Sequence, residues 1–332
     1  MKNTILNLNF LIRAGLSLFL LIALTPYCFG QAFVETYYLY NWQPTPGVED
    51  ASFYSLSKNT DSGWYRTDYF LNAGRDRIEM TGLFADKENK IHKGIFRWYY
   101  YNGSVKAFGK YENNKKEGNW LGWYSNGALM DSINYRKGEY YGVSKSWYKN
   151  GFIKDSVTMD EAGAGTYIGW FDNGNPSEAG KYKNFKKQGK WVFYHKNGNL
   201  SSYELYDKDS LTQFQIFDEN GVPQDDSAII DKHAKFANGG EKGWHKYVSG
   251  SLVFPGGFNI VNSDHINVVT EATIGENGKV EDAEVIIPFH YAFDKEALRV
   301  FNNSPLWEPA MNHNRKVKYT FTFRVSFAIE YH

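Results

Sequence analysis

A ten-residue pattern of apolar and polar positions recurs six times between residues 94 and 221, and each copy ends in Asn-Gly. The copies occupy residues 94–103, 118–127, 142–151, 165–174, 189–198 and 212–221, so their starts lie 23 or 24 residues apart. A fixed period of this size is typical of a repeat array, in which each unit needs its neighbours to bury its apolar face. The pattern therefore predicts six units stacked in a row.

Each unit is predicted to be a β-hairpin. The sixth position of every copy is aromatic: Tyr99, Trp123, Trp147, Trp170, Tyr194 and Phe217. The third position is aromatic in every copy except the one with Ser144. The turn pairs are Asn102-Gly103, Asn126-Gly127, Asn150-Gly151, Asn173-Gly174, Asn197-Gly198 and Asn220-Gly221. Asn-Gly favours a type I′ turn because both residues tolerate positive φ.

A second alternating run follows each turn, so the units predict an elongated, single-layer antiparallel sheet. We expect Trp123, Trp147 and Trp170 to stack as cross-strand neighbours in its thin core. The alternative is that some of these rings lie exposed and bind glycan. The Lys pairs at 115–116 and 186–187 fall in the links between hairpins, where solvated charges block the association of sheets.

The phrase G-x-W-x-x-W-Y-x-N-G, with its period, resembles the MORN-type repeat in the variant common in bacterial envelope proteins. The resemblance covers residues 94–221, implies an elongated β-sheet used for association, and implies no catalytic residue. Residues 31–93 are expected to form an N-terminal cap and a degenerate unit, since terminal repeats are atypical.

After Gly221 the pattern changes to that of a small α+β domain. Residues 222–235 are interpreted as a linker, and a short helix is one interpretation of residues 228–236. Residues 266–274 alternate as a strand, and Asp294 is a candidate N-cap for a helix. The chain closes with a long alternating run from Val317 to Ile329.

The C-terminal part, residues 236–332, resembles the TonB C-terminal domain over roughly residues 236–329. The matching pieces are F-x-x-G-G (236–240), GEKGWHKYV (240–248), LVFP (252–255), GENG (275–278), DKEALRV (294–300) and PLWEPA (305–310). Trp307, between Pro305 and Pro309, is interpreted as a packing anchor. The resemblance implies capture of an extended peptide by β-augmentation. The candidate edge residues are Val317, Tyr319, Thr320, Thr322, Arg324 and Ser326.

Residues 1–30 have the layout of a secretory signal peptide, with Lys2 and Arg13 ahead of an apolar run and cleavage expected between Gly30 and Gln31. The alternative is an uncleaved anchor. Cleavage removes Cys28, the only cysteine, and this excludes disulfides and thiolate metal sites from the mature chain.

Composition and the lack of motifs argue against a nucleic-acid partner, a metal site and a catalytic site. Lys and Arg number 37, as do Asp and Glu, and no basic block stands out, which argues against a nucleic-acid partner. The eight histidines show no paired-ligand spacing, and no local signature links Ser, His and Asp residues. The sequence therefore indicates no enzyme, no metal and no cofactor.

Together these patterns predict an exported, non-enzymatic, protein-binding scaffold of the periplasm or outer-membrane periphery in a Gram-negative-type envelope. An outer-membrane transporter or another envelope protein is the expected partner. One alternative is a TonB-type energy transducer that retains residues 1–30 as its anchor and only then contacts the membrane. Such transducers have a long Pro-rich spacer, whereas this chain has 9 prolines and carries repeats at that place. The other alternative is a glycan or cell-wall binding module.

Overall fold

The computed structural model describes residues 33–48, 51–71, 77–225, 227–258 and 265–328. It confirms a mainly β chain with one long antiparallel sheet and a small C-terminal α+β region. The expected signal peptide, residues 1–30, and Ile329 lie outside the described residues. Among the described residues, no helix is both long and apolar enough to cross a membrane.

The long sheet is built from strands that follow one another along the chain. These strands are β1 (Val34–Tyr38), β2 (Pro44–Thr45), β3 (Phe53–Thr60), β4 (Gly63–Phe70), β5 (Arg77–Phe84), β6 (His92–Tyr99), β7 (Val105–Glu112), β8 (Lys115–Trp123), β9 (Leu129–Arg136), β10 (Glu139–Tyr140), β11 (Gly142–Trp147), β12 (Ile153–Met159), β13 (Gly165–Trp170), β14 (Pro176–Lys183), β15 (Lys186–Tyr194), β16 (Leu200–Asp207), β17 (Ser210–Phe217) and β18 (Pro223–Gln224). Sequential strands pair antiparallel, except that β1 lies between β2 and β3 and that β9 pairs with both β10 and β11.

The Asn-Gly turns are not type I′, and that prediction was wrong. The glycines have positive φ, as at Gly103 (88°), but no asparagine of these pairs does, and type I′ requires positive φ at both residues. The N–H of Gly103 donates to the carbonyl of Tyr100 at 2.8 Å, and the N–H of Tyr100 donates to the carbonyl of Ser104 at 2.9 Å. This bonding indicates a three-residue loop that ends in a positive-φ glycine.

The asparagine side chain gives the turn pair its structural role. Oδ1 of Asn102 accepts from the N–H of Ser104 at 2.9 Å, and its Nδ2 donates to the carbonyl of Ser125 in the next unit at 3.0 Å. The same two bonds recur at Asn150, Asn173 and Asn197. A side chain that bonds its own turn and the next one couples neighbouring units.

Type I′ geometry occurs at the other end of the strands, in the links between units. Asn113-Asn114, Asn184-Phe185 and Lys208-Asp209 each have two consecutive positive φ values, all between 48° and 72°. The flanking residues pair directly, as Glu112 does with Lys115. The tight hairpin turns therefore join one unit to the next.

Three of the five third-position rings lie in the core of the array, and the other two, Tyr167 and Phe214, are half-buried. Phe96, Trp120 and Trp191 are buried, with 0%, 7% and 1% of their surface exposed, whereas all the sixth-position rings are only half-buried. Positions three apart on a strand point to opposite faces. The expectation that Trp123, Trp147 and Trp170 form the core is corrected accordingly.

Glycines on the adjacent strand allow the third-position rings to lie against the backbone. A Cβ added at Gly109 would stand 2.1 Å from the Trp120 ring, and one at Gly180 would stand 2.0 Å from the Trp191 ring. The indole N–H of Trp191 donates to the carbonyl of Lys181 at 3.2 Å. Because side-chain volume at these glycines would displace the rings, the glycines are part of the core packing.

Lysine ammonium groups lie over the same rings. Nζ of Lys116 is 4.5 Å from the Trp120 ring centroid, and Nζ of Lys187 is 4.6 Å from that of Trp191. These distances are those of cation–π contacts. The prediction of freely solvated link charges was therefore wrong for Lys116 and Lys187.

The C-terminal region contains a three-stranded sheet and two helices. Its elements are β19 (Lys235–Phe236), α1 (Gly240–Ser251), β20 (His265–Ile274), β21 (Val280–Ile287), α2 (Tyr291–Asn302), β22 (Trp307–Glu308), β23 (Ala310–Asn312), β24 (Arg315–Val317) and β25 (Tyr319–Ala328). The sheet order is β21-β20-β25, and a continuous apolar core that includes Trp244, Phe293 and Phe301 joins it to the helices.

Three local expectations differ from the structure. Residues 228–234 contain no helix, because Lys232 bridges to Met311 instead. Helix α2 begins at Tyr291 with His290 as its N-cap, so the N-cap is not Asp294. The long C-terminal run is broken at Lys318, and Val317 pairs with Ala310 in a separate hairpin.

Candidate functional site

The strand predicted to bind a partner, β25, lies at one end of the three-stranded sheet. It pairs with β20 along its length, from Ala328 opposite His265 to Tyr319 opposite Ile274, and β21 occupies the other end. A strand at the end of a sheet presents a row of backbone N–H and C=O groups to its surroundings. In the described sheet, β25 presents such a row over ten residues.

The two faces of β25 differ in chemistry. The rings of Phe321 and Phe323 contact Trp244 of α1 and Phe301 of α2, and Val325 is fully buried. The exposed side chains of the opposite face are Thr320, Thr322, Arg324 and Ser326. The helices therefore fix the strand through its apolar face. Its polar face is turned toward the array, where the guanidinium of Arg324 lies 4.9 Å from the ring centroid of Tyr40 and Thr320 lines a cavity.

Trp307 lies in the core beside this strand. It is 9% exposed, and its ring centroid is 5.0 Å from those of both Trp244 and Phe321. Its indole N–H donates to Oγ of Ser304 at 3.0 Å. The two flanking prolines, Pro305 and Pro309, lie on either side of this buried ring in the chain.

Of the six predicted edge residues, five belong to β25, and Val317 belongs to the hairpin β23–β24. This hairpin contacts the array directly. His313 lies in the turn of the hairpin, and its ring stacks on Phe193 of β15 with centroids 3.7 Å apart. Nδ1 of His313 lies 2.8 Å from Oε1 of Glu204 on β16.

Glu204 is the most buried acidic group of this contact, with 0% of its surface exposed. It also accepts hydrogen bonds from Ser202 at 2.8 Å and from Tyr206 at 2.5 Å. Burial raises its pKa, but the bonds from His313, Tyr206 and Ser202 outweigh it and hold the pKa of Glu204 below the usual range. A carboxylate only accepts, so Nδ1 of His313 carries the hydrogen of their bond.

Arg315, on β24, is the second anchor of the hairpin and is 6% exposed. Its guanidinium donates to the backbone carbonyl of Ser177 and, at 3.1 Å, to that of Tyr194. The group also lies 5.4 Å from the ring centroids of Phe171 and Phe193. A buried charge needs such partners to offset its desolvation, so the array completes the environment of this side chain.

Ion pairs surround the contact. Lys318 bridges Asp172 of the array at 2.8 Å and Glu281 of β21 at 2.9 Å, and Lys149 pairs with Asp282. These side chains are partly exposed, so each pair contributes little to stability. They place opposite charges of the array and of the C-terminal domain next to each other.

A cavity of 640 Å³ lies between the array and the polar face of the C-terminal sheet. Its lining includes Tyr100, Tyr124 and Tyr148 from the array and Glu271 and Thr320 from the sheet. Burial, followed by the charge of Glu284, raises the pKa of Glu271 above its usual range. Burial, with Glu284 and Glu271, also raises the pKa of Tyr100 to about 12.

Sequence reasoning missed the contact between hairpin and array. Glu204 and His313 lie 109 residues apart in the chain, and neither belongs to a motif. One signal was available, because Glu204 occupies the repeat position that holds Gly109 and Gly180 in other units. An acidic residue at a position otherwise held by glycine or an aliphatic residue indicates a local change of surroundings.

No group of three or more His, Cys, Asp and Glu residues within the described ranges has the geometry to hold a metal ion. The arrangement consists instead of an end strand, two helices that support it, and a hairpin that joins this domain to the array.

Residues 265–329 match a family model described as the C-terminal region of the Gram-negative bacterial TonB protein. The match begins with β20 and extends one residue beyond β25, so it contains the whole three-stranded sheet and α2. The repeat array lies outside it, and the MORN-type resemblance stays a prediction. No curated protein matches the chain.

Proposed function

We propose that this protein is an exported, non-enzymatic scaffold of a Gram-negative-type envelope. Its C-terminal domain captures an extended protein segment along the outer edge of β25. The observation that carries the proposal is the position of β25, a ten-residue strand at the end of its sheet. The strand also lies within the segment that matches the TonB C-terminal family.

Strand addition needs a preformed edge. Affinity in this mode comes from main-chain hydrogen bonds, and alternate side chains supply selectivity. The buried face of β25 is packed against α1 and α2 and holds the backbone in place. The exposed side chains Thr320, Thr322, Arg324 and Ser326 are then the ones that contact the side chains of the added strand.

The array has a supporting role in this proposal. Residues 94–221 form the repeats, residues 222–235 connect them to the domain at 236–332, and the hairpin around His313 and Arg315 fastens the two together. The likeness to the MORN-type repeat supports an elongated surface used for association. The partner is a protein, such as an outer-membrane transporter, and the proposal includes no nucleic acid, metal or cofactor.

Site-specific photo-crosslinking in cells tests the proposal. A photoreactive residue is placed in turn at Thr320, Thr322 and Ser326, and at Lys295 on the exposed side of α2 as the matched control. We expect one protein adduct shared by the β25 positions and absent at Lys295. Adducts at Lys295 alone, or different adducts at each β25 position, would contradict capture along this strand.

The match to the TonB C-terminal family also favours a second function, an energy transducer for outer-membrane transport. That function requires residues 1–30 to remain as an anchor, whereas the scaffold is released from the membrane. Mass spectrometry of the N-terminus of the protein from envelope fractions decides between them. Gln31 as first residue rejects the transducer, and a retained segment 1–30 rejects the released scaffold.

A further inference from the structure

The array has a second face, opposite to the one on which the hairpin of His313 and Arg315 docks. The third-position rings and the docked hairpin occupy one face of the sheet, and we call the opposite face, to which the sixth-position rings belong, the outer face. Strand register assigns its members, because directly paired residues share a face. Along the described strands of units one to six, the side chains of the outer face are exposed or half-buried.

A stripe of apolar side chains crosses the outer face near the Asn-Gly turns. Each sixth-position ring pairs with the first residue of the following strand, as Trp123 does with Leu129 and Trp147 with Ile153. Aromatic and aliphatic side chains therefore alternate across the sheet. Successive rings are two strands apart, which corresponds to about 10 Å.

Basic side chains flank the stripe. They are Arg97, Lys110, Lys145, Lys181 and Lys190, all of them exposed. The guanidinium of Arg97 lies 5.2 Å from the Phe108 ring centroid, and Nζ of Lys190 lies 4.9 Å from that of Tyr203. Glu117 lies among them, and the other acidic residues lie at the link end: Glu139 pairs with Arg136, and Glu112 and Asp207 lie near Lys115, Lys183 and Lys186.

We propose that the outer face binds an anionic polysaccharide. Aromatic rings present a negative π-face that attracts the C–H bonds of a sugar ring, whose hydrogens carry partial positive charge. The flanking cations complement carboxylate or phosphate groups on the polymer. A regular series of rings fits a chain of repeating sugars, each ring contacting successive parts of one strand.

The same features disfavour two other anionic partners. A bilayer surface is best bound by side chains that project into it, but the sixth-position rings are half-buried in the sheet. Single-stranded nucleic acid would use rings and cations in a similar way. It does not fit the envelope location in the proposed function, and this step of the inference rests on that location.

Equilibrium binding of the full mature chain to polygalacturonate tests the inference, with fully methyl-esterified polygalacturonate as the uncharged counterpart. We expect binding to polygalacturonate that weakens as salt is raised, and binding to the ester that is weaker by about tenfold. Trp123→Leu with Trp147→Leu, which keeps apolar bulk but removes two rings, should weaken binding by about tenfold. The matched pair Trp123→Tyr with Trp147→Tyr should retain most of it.

The charges are tested in the same way. Lys145→Gln with Lys190→Gln should weaken binding severalfold, whereas Lys279→Gln with Lys295→Gln, on the C-terminal domain, should leave it unchanged. Thermal unfolding confirms that each variant is folded. The inference would be overturned if neither Trp123→Leu with Trp147→Leu nor Lys145→Gln with Lys190→Gln weakened binding. It would also be overturned if polygalacturonate failed to bind, including the case in which phosphatidylglycerol vesicles or poly(dT) bound instead. None of these outcomes bears on the β25 edge, so they leave the proposed function standing.

Discussion

Replacement of Gly180 by alanine should destabilise the array because the Trp191 ring lies directly on this glycine. The added Cβ would stand 2.0 Å from the ring, and a carbon–carbon contact needs about 3.5 Å or more, so the ring must recede by roughly 1.5 Å. Such overpacking costs about 1–3 kcal/mol. The displaced indole also loses its bond to the carbonyl of Lys181, and a buried unpaired N–H costs a further ~1–3 kcal/mol.

Alanine is intrinsically better than glycine in a strand by about 0.5–1 kcal/mol, so the expected net loss is about 3 kcal/mol. Urea unfolding followed by tryptophan fluorescence measures this loss, and hydrogen exchange locates it at residues 176–207. The matched background is Trp191→Leu, in which the ring is absent. There Gly180→Ala should cost less than about 1 kcal/mol, which gives a coupling of about 2 kcal/mol or more between the two sites. Equal losses in both backgrounds, or no loss in either, would refute the packing argument.

Three further predictions concern the coupling of units and domains. Asn173→Ala removes bonds to the N–H of Asn175 and the carbonyl of Lys196 and should cost about 1–2 kcal/mol. The terminal copy, Asn220→Ala, has no following unit to bond and should cost less in the same urea titration. Because the pKa of Glu204 is lowered in the folded state, its stabilising contribution is present above its ordinary pKa of 4.5 and is lost as the pH falls through the folded value. Stability below pH 4.5 should therefore fall less steeply in Glu204→Gln than in the parent, and equal slopes would contradict the buried carboxylate. A fragment of residues 232–332 should fold alone because its apolar core is continuous, and absence of near-UV circular dichroism from its aromatic rings would show that it depends on the array.

The repeat period and the alternation within it predicted the sheet, since both follow from backbone geometry. The turn type was not predictable from Asn-Gly alone. The same pair also suits a three-residue loop, and the choice here is linked to a bond from the asparagine to the next unit, which exists only in the stacked array. Likewise, the sixth position is the more regular aromatic position in the sequence, but burial is greatest at the third position, where glycines on the adjacent strand let the ring lie against the backbone.

The charge distribution shows a similar limit. Arg97, Lys145 and Lys190 are far apart in the chain, so no basic block is visible in the sequence. Strand pairing brings them to one face of one sheet. The docking of His313 against Glu204 was hidden for the same reason, because it joins elements on either side of a domain boundary. Edge strand β25 was found because its alternation is local, and its break at Lys318 was not found because Val317 continues the same alternation.

Capture of a protein strand by the edge of β25 is tested most directly by proline substitution in that strand. Thr322→Pro removes a backbone N–H and prevents regular pairing, whereas Thr322→Lys keeps the N–H at the same exposed position. Pull-down from envelope extracts compares both variants with the parent, each first shown to unfold cooperatively at the parent's temperature. The account predicts that Thr322→Pro loses the photo-crosslinked partner and that Thr322→Lys retains most of it. Equal capture by Thr322→Pro and the parent, with the fold intact, would contradict strand addition at β25.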